Sequence, residues 1–384
     1  MTRRRGNCHI GVDARTVFAP NRRGTGKNLV DLYQRLATLE PQWRFTLFYE
    51  PMEGVVPPAE LDLANVFPVP LTMRGARFNL WEQGRLPWAA WRWGVDVLHS
   101  PAQSAPRFAA TPSVVTVHDL IPLRFDEGWP AVQRRGLVET LAHSVRGARE
   151  IITVSRYTRD DLLKAFPTLD PQRVHVVPWA PEDGSIPVTN PAALEAVRRR
   201  YGVHSHPFWF ALGARAPRKN TRRLLESFAQ FAPQYPTWQL VVGGLQVDAL
   251  EDFNAHIAPW SCRERIHLHP YLPEADLPAL YSAAAGFVFP SLFEGFGLPV
   301  LDAMACGCPV LASEATSIPE VAGDGALYFD PLEAASMAGA LAEAAGSEAL
   351  RRDLAERGRR RVAHFQWERT AQLTRDVLGK ALGG

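Results

Sequence analysis

Glu294 and Asp302 lie in "EGFGLPVLDAMACGCPVLAS", where an acid, two glycines and a second acid follow the apolar run "GFVFP". Glu294, Gly295 and Gly297 read as a loop, Pro299 suits the first turn of a helix, and Gly307 closes that helix. Glu294 is expected just before the helix and Asp302 in its first turn, so two carboxylates and a set of backbone N–H donors converge on one strand end. Such a set suits a ligand that carries several hydroxyls and an anion. The structural alternative makes Glu294 a helix cap and Asp302 a complement to the helix dipole, an effect of about 0.3–1 kcal/mol. Glycines on both sides of Phe296 favour the ligand, because glycine lets the backbone approach closely.

A second charged group lies in "FALGARAPRKNTRRLLESF". A strand leads into a turn at Gly213, and Arg218 and Lys219 stand at the expected mouth of the next helix. Two cations and a positive helix end suit a phosphate; the plainer alternative is that Arg218 and Lys219 are merely solvated, as Arg222 and Arg223 read. In "SVVTVHDLIP", His118 and Asp119 follow an apolar strand and could manage protons or bind hydroxyls; the plainer alternative is a histidine bonded only to backbone. His267 and His269 alternate along a strand and read as packing residues. "RRGTGKNLVDLYQRL" (22–36) resembles a phosphate loop, but the pattern needs a glycine at position 21 and a Ser or Thr at 28, and both are asparagine. No Asp-x-Asp occurs, nor any His, Asp and Glu cluster with metal spacing. A diphosphate would then be neutralised by Arg, Lys and helix ends.

The elements that must position these residues alternate between short β-rich runs and helical periodicity from end to end, the pattern of parallel sheets with crossover helices. Strands are expected at "HIGVD", "RFTLFYE", "NVFPVP", "DVLHS", "SVVTVHD", "EIITVS" and "RVHVVP". The pattern restarts with "FWFALG", "WQLVVGG", "RIHLH", "GFVFP", "CPVLAS" and "ALYFD". Between the two sets, "VPWAPEDGSIPVTNP" is rich in proline and reads as a linker. The fold class is therefore α/β, with two Rossmann-like doubly wound parallel-sheet domains facing across a cleft. The expected division is residues 1–180, a linker at 181–190, a second domain at 191–366, and a last helix at 367–384 that crosses back to the first. A chain of 384 residues suits two domains. With 46% apolar and 21% charged residues it buries a sizeable core, and a net charge of +2 makes no case for nucleic acid. Four cysteines without framework spacing read as structural thiols. No run is long enough for a membrane span and no signal peptide is evident, so a cytoplasmic location is expected.

With these residues assembled, the chain resembles the retaining glycosyltransferases of the GT-B fold, family 4, over essentially its whole length. The Glu-x7-Glu motif of that family looks like Glu294 to Asp302, with the second acid one methylene shorter. "APRKN" and "SIPEVAGDGALYFDP" are close to the family pattern, while "GVDAR", "GTGK", "TVHDLIP" and "ITVSRYTRDDL" resemble the subset that adds mannose or related sugars to bacterial surface polysaccharides. The resemblance implies a hexosyl transfer from a nucleoside diphosphate sugar, GDP-mannose in the leading form, to a glycan or lipid-linked glycan, without a metal ion or other cofactor. It places Glu294 as a catalytic residue beside the donor sugar and the reacting carbon, and the N–H groups of Gly295, Phe296, Gly297 and Leu298 on sugar or phosphate oxygens. Asp302 would take the ribose diol, Arg218 and Lys219 the diphosphate, and His118 the sugar and leaving phosphate, with Gly24 approaching the diphosphate from the other domain. Lys27 and Asn28 replace the usual Arg and Tyr, and "VVPWAPEDG" replaces the customary Pro-Asn-Gly turn.

Competing readings are an inactive sugar-nucleotide-binding partner subunit, and an epimerase or a phosphorylase on the same architecture. Phosphorylases need a cofactor lysine and a longer chain. The intact Glu294 motif disfavours an epimerase. The tryptophan-rich "FNLWEQGRLPWAAWRWGVDVLHSP" is expected to pack on the first sheet, the alternative being a peripheral contact with the inner face of a membrane.

Overall fold

A computed structural model of the chain describes residues 7–20, 24–72 and 80–383. "MTRRR", Asn21 to Arg23 of the glycine loop, and Phe78 and Asn79 of the tryptophan-rich stretch lie outside the described residues.

Among the described residues, seven strands form the first sheet: β1 (His9–Asp13), β2 (Arg44–Tyr49), β3 (Val66–Pro70), β4 (Val97–Ser100), β5 (Ser113–Val117), β6 (Glu150–Thr153) and β7 (Val174–Val176). Six form the second: β8 (Phe208–Leu212), β9 (Gln239–Gly243), β10 (Ile266–Leu268), β11 (Gly286–Phe289), β12 (Val310–Ser313) and β13 (Ala326–Phe329). Each coincides with one of the β-rich runs. The reason is burial: β5 and β11 are buried at every residue, and a parallel strand covered on both faces must be apolar almost throughout.

Both sheets are wholly parallel, with orders β3-β2-β1-β4-β5-β6-β7 and β10-β9-β8-β11-β12-β13. This is the Rossmann order, twice. Strand order reverses between β1 and β4 in one sheet and between β8 and β11 in the other, and ligands of such sheets bind beyond the strand carboxyl ends at that reversal.

The chain divides into two compact units. One comprises Met1–Arg124, Trp129–Trp179 and Gln366–Gly384; the other comprises Phe125–Gly128 and Ala180–Phe365. Phe125–Gly128 thus departs from a simple division near residue 180. Its Phe125 ring meets Phe293 at 5.5 Å and its Glu127 pairs with Arg218 at 3.2 Å. The last helix, Trp367–Leu382, packs in the first unit against the helix Thr25–Leu39 and β6. There Glu368 pairs with Arg35 at 3.3 Å. The proline-rich stretch after Trp179 is fastened to the second unit, where Val188 N donates to Ser282 Oγ at 2.9 Å.

The core of the second unit is built on β8 and the helix Thr221–Phe231, where Trp209 stacks on Trp238 at 4.5 Å and packs with Phe228 and Phe231. Gly213 follows β8 because a Cβ there would lie 2.6 Å from Val242. Close packing of this turn sets where the next residues emerge.

Candidate active site

In the second unit the loops after β8 and β11 meet at the switch point. Arg218 and Lys219 occupy a short 3-10 turn, Pro217–Lys219, one residue ahead of the helix rather than in it. Asn220 ends the turn in the left-handed region at φ 57°, a conformation asparagine tolerates better than most residues. Its Nδ2 donates to Pro290 O at 3.0 Å and Pro331 O at 2.7 Å. Asn220 therefore ties the cationic turn to the end of β11.

The two cations converge on one carboxylate oxygen. Lys219 Nζ donates to Glu294 Oε1 at 2.7 Å and Arg218 Nη1 to the same atom at 3.1 Å. Burial would raise the Glu294 pKa, but Lys219 and Arg218 overcome it and hold the carboxyl below its ordinary value. Glu294 is consequently ionised at neutral pH. Glu127 adds a second acid to Arg218. Neither cation is solvated: their side chains are 17% and 21% exposed. Arg223, expected in solvent, instead donates to Asn220 Oδ1 at 2.8 Å and to Pro331 O at 3.2 Å, because the asparagine that ties the turn leaves its acceptor facing that helix.

Glu294 does not cap the helix. The cap is Gly297, at φ 98° and with no side-chain cap bond, ahead of the helix Leu298–Ala305. Leu298 heads the helix, so its N–H has no acceptor within the helix itself. The loop from Glu294 to Gly297 is stapled from the loop after β12. Glu294 N donates to Thr316 Oγ1 at 3.1 Å, and Ser317 Oγ donates to Glu294 O at 2.9 Å and Phe296 O at 3.1 Å. Phe296 is buried with its ring 5.9 Å from that of Phe365. Nothing in the spacing of Thr316 and Ser317 signals this role, although Ser317 opens the "SIPEVAGD" motif.

Asp302 is the fifth residue of the helix, beyond its first turn, which holds no acid. Its Oδ1 accepts from Glu182 N at 2.9 Å and from Ser185 Oγ at 3.0 Å. The shorter acid is thus oriented by the stretch that enters the unit, a role invisible in the spacing.

In the first unit, His118 follows β5. Its Nε2 lies 2.6 Å from Pro101 O, just after β4. A carbonyl cannot donate, so Nε2 carries the proton and Nδ1 the lone pair of the neutral ring. Burial pushes the imidazole pKa down, more than the Pro101 carbonyl and Asp119 push it up, so the ring is neutral at pH 7. Asp119 turns back to its own loop and accepts from Ile121 N at 2.9 Å. Gly24 caps the helix Thr25–Leu39 at φ 32°, again without a side-chain cap bond. His267 bonds Gln239 Oε1 at 2.8 Å and His269 packs edge-on to Tyr201, both structural.

Tandem Rossmann-like units, with this charged cluster at the second switch point, are the build of a GT-B glycosyltransferase. Residues 22–180 match Glycosyltransferase Family 4 and residues 196–361 match Glycosyl transferases group 1. The chain is 31% identical to O-antigen chain mannosyltransferase B of Escherichia coli over 76% of each chain. It is also 31% identical to alpha-maltose-1-phosphate synthase of Mycolicibacterium smegmatis, over 70% of this chain and 73% of that one. Sucrose-phosphate synthase from Thermosynechococcus elongatus shares the fold with a TM-score of 0.75 at 20% identity, covering 96% of this chain and 98% of that chain. The protein belongs to glycosyltransferase family 4.

Proposed function

We propose that the protein moves a hexosyl unit, mannose in the leading form, from a nucleoside diphosphate sugar to a hydroxyl of a glycan or lipid-linked glycan, with the anomeric configuration kept. The biological setting is bacterial polysaccharide or glycoconjugate assembly, and GDP-mannose is the donor we favour. The observation that carries this reading is the ionised Glu294 held by Lys219 and Arg218 at the β8/β11 switch point. The likeness to the E. coli mannosyltransferase supports the sugar.

As the glycosidic bond to the donor breaks, negative charge grows on the departing diphosphate. Arg218 and Lys219 meet that charge, and because Glu294 already holds them in place little reorganisation is needed. N–H groups along Gly295, Phe296, Gly297 and Leu298 add dipoles toward sugar hydroxyls or phosphate oxygens. Cationic side chains supply the neutralisation that a divalent ion would otherwise give, so the reaction is proposed without metal. With Oε1 engaged by two cations, Glu294 is a weak nucleophile, which supports a front-face route over a covalent intermediate. Asp302, oriented by Glu182 N and Ser185, is assigned to the ribose diol. His118 Nδ1 is assigned to a sugar hydroxyl as an acceptor, and Gly24 to the diphosphate.

A peripheral membrane contact forms part of the proposal. Among the described residues no helix is long and apolar enough to cross a membrane. The helix Leu86–Arg92 buries Leu86, Ala89 and Ala90 but exposes Trp88 and Trp91. Trp81 is buried in the same stretch, so the region divides between packing and surface.

The test is a thermal-shift panel of nucleotide sugars, followed by incubation of the stabilising donor with a mannan-type acceptor and NMR of the new linkage. Transfer with retention is expected. Interconversion of the donor in the absence of acceptor would identify an epimerase instead.

A further inference from the structure

The turn "VVPWAPEDG" holds Trp179, where the chain leaves the first unit for the second. Val177 N still donates to Thr153 O at 2.8 Å, so Trp179 sits two residues beyond the end of the sheet. There its ring meets His118 edge-to-face, with centroids 4.9 Å apart and planes at 74°. Trp179 is 5% exposed. The last helix holds it: Trp367 lies 6.3 Å from the indole, ring to ring, and Thr370 Oγ1 donates to Pro178 O at 2.7 Å. Both aromatic residues belong to the same unit as His118.

We propose that Trp179 is a positioning residue for His118, with Trp367 and Thr370 fixing the indole so that the imidazole keeps Nε2–H on Pro101 O and presents Nδ1. Two separate constraints hold an imidazole better than one. One hydrogen bond leaves it free to swing about that bond, and an aromatic ring packed across it stops the swing. The indole also keeps water from the ring, which sustains its neutral form. Asp119, beside it, and His99 on β4 act on the ring electrostatically; the indole brings no charge. This proposal rests on the assignment of His118 to a sugar hydroxyl.

The test compares Trp179→Leu, which keeps an apolar side chain without the indole, with the conservative Trp179→Phe. Nitrogen-detected NMR of the His118 imidazole is followed as a function of pH in the whole protein, together with steady-state transfer. In Trp179→Leu the His118 titration should move up toward the ordinary histidine range and the Nε2–H preference should weaken. Its kcat should fall by about 10-fold or more with donor KM nearly unchanged, and the acidic limb of the kcat profile should move to higher pH. Trp179→Phe should restore most of both readouts. In a His118→Ala background, Trp179→Leu should cost nothing further, since the two act as a unit. An unaltered imidazole titration and tautomer in folded Trp179→Leu overturns the proposal, as does an equal loss of kcat with and without His118. Wild-type transfer by His118→Ala would instead overturn the assignment of His118, while the NMR arm still decides whether Trp179 positions the ring.

Discussion

Lys219 Nζ and Arg218 Nη1 share Glu294 Oε1, at 2.7 Å and 3.1 Å, across more than seventy residues of chain. The pairing makes the carboxylate an anchor for both cations. Glu294→Ala removes the anchor and is expected to lower transfer by about 10²-fold or more, with a smaller loss in Glu294→Gln, which still offers an oxygen acceptor. Initial rates on purified variants check this. Wild-type rates in Glu294→Ala would falsify the assignment of this cluster to the reaction.

If the cations carry the charge of the leaving diphosphate, each should matter separately. Arg218→Gln and Lys219→Gln are expected to lower kcat/KM by about 10²–10³, and EDTA should leave the wild-type rate unchanged. Restoration by magnesium of an EDTA-treated enzyme would show that an ion shares the task.

Stability should depend on pH through His99. Burial, and after it the charge of His118, pushes the His99 pKa from 6.5 down to about 3. Tyr33 and Thr116 hold its two ring nitrogens. Between about 3 and 6.5 the unfolded chain binds a proton that the folded ring refuses. Stability from this group is therefore complete above 6.5 and is lost as pH falls, by about 1.4 kcal/mol for each pH unit crossed. Thermal unfolding from pH 4 to pH 8 should show Tm rising with pH, and His99→Gln should lower the curve and flatten it. A parallel curve in the variant would assign the slope to other groups.

Trp88 is 49% exposed and Trp91 64%, and Arg85 lies over the Trp88 ring at 4.8 Å. Amphipathic rings beside cations suit an anionic bilayer surface. Cosedimentation with phosphatidylglycerol vesicles is expected, and Trp88→Ser with Trp91→Ser should reduce it at least several-fold without lowering Tm. Equal recovery in the supernatant with and without vesicles would remove the membrane contact.

Much of the fold was legible because parallel strands covered on both faces leave short apolar runs with no alternation, and turns and helices separate them. The residues of the charged cluster were legible for a related reason. Strand ends followed by glycine, proline and charge mark the mouth of an α/β sheet, and Arg218, Lys219 and Glu294 all stand there. Asp302 was misplaced by the same local logic. Counting from Pro299 puts it in the first turn, but the helix begins at Leu298 and the stretch at Glu182 and Ser185 bonds the acid. No periodicity announces a partner more than one hundred positions away.

Sequence alone determined the element order, the Rossmann class and the loops that bear charge, since these follow from residue type and spacing over short windows. Only the tertiary structure decided that two cations meet on one oxygen of Glu294, which nitrogen of His118 holds the proton, and that Trp179 and the last helix brace that ring. Those are relations between side chains far apart in the chain, and their geometry exists only once both sheets have set the ends of their strands.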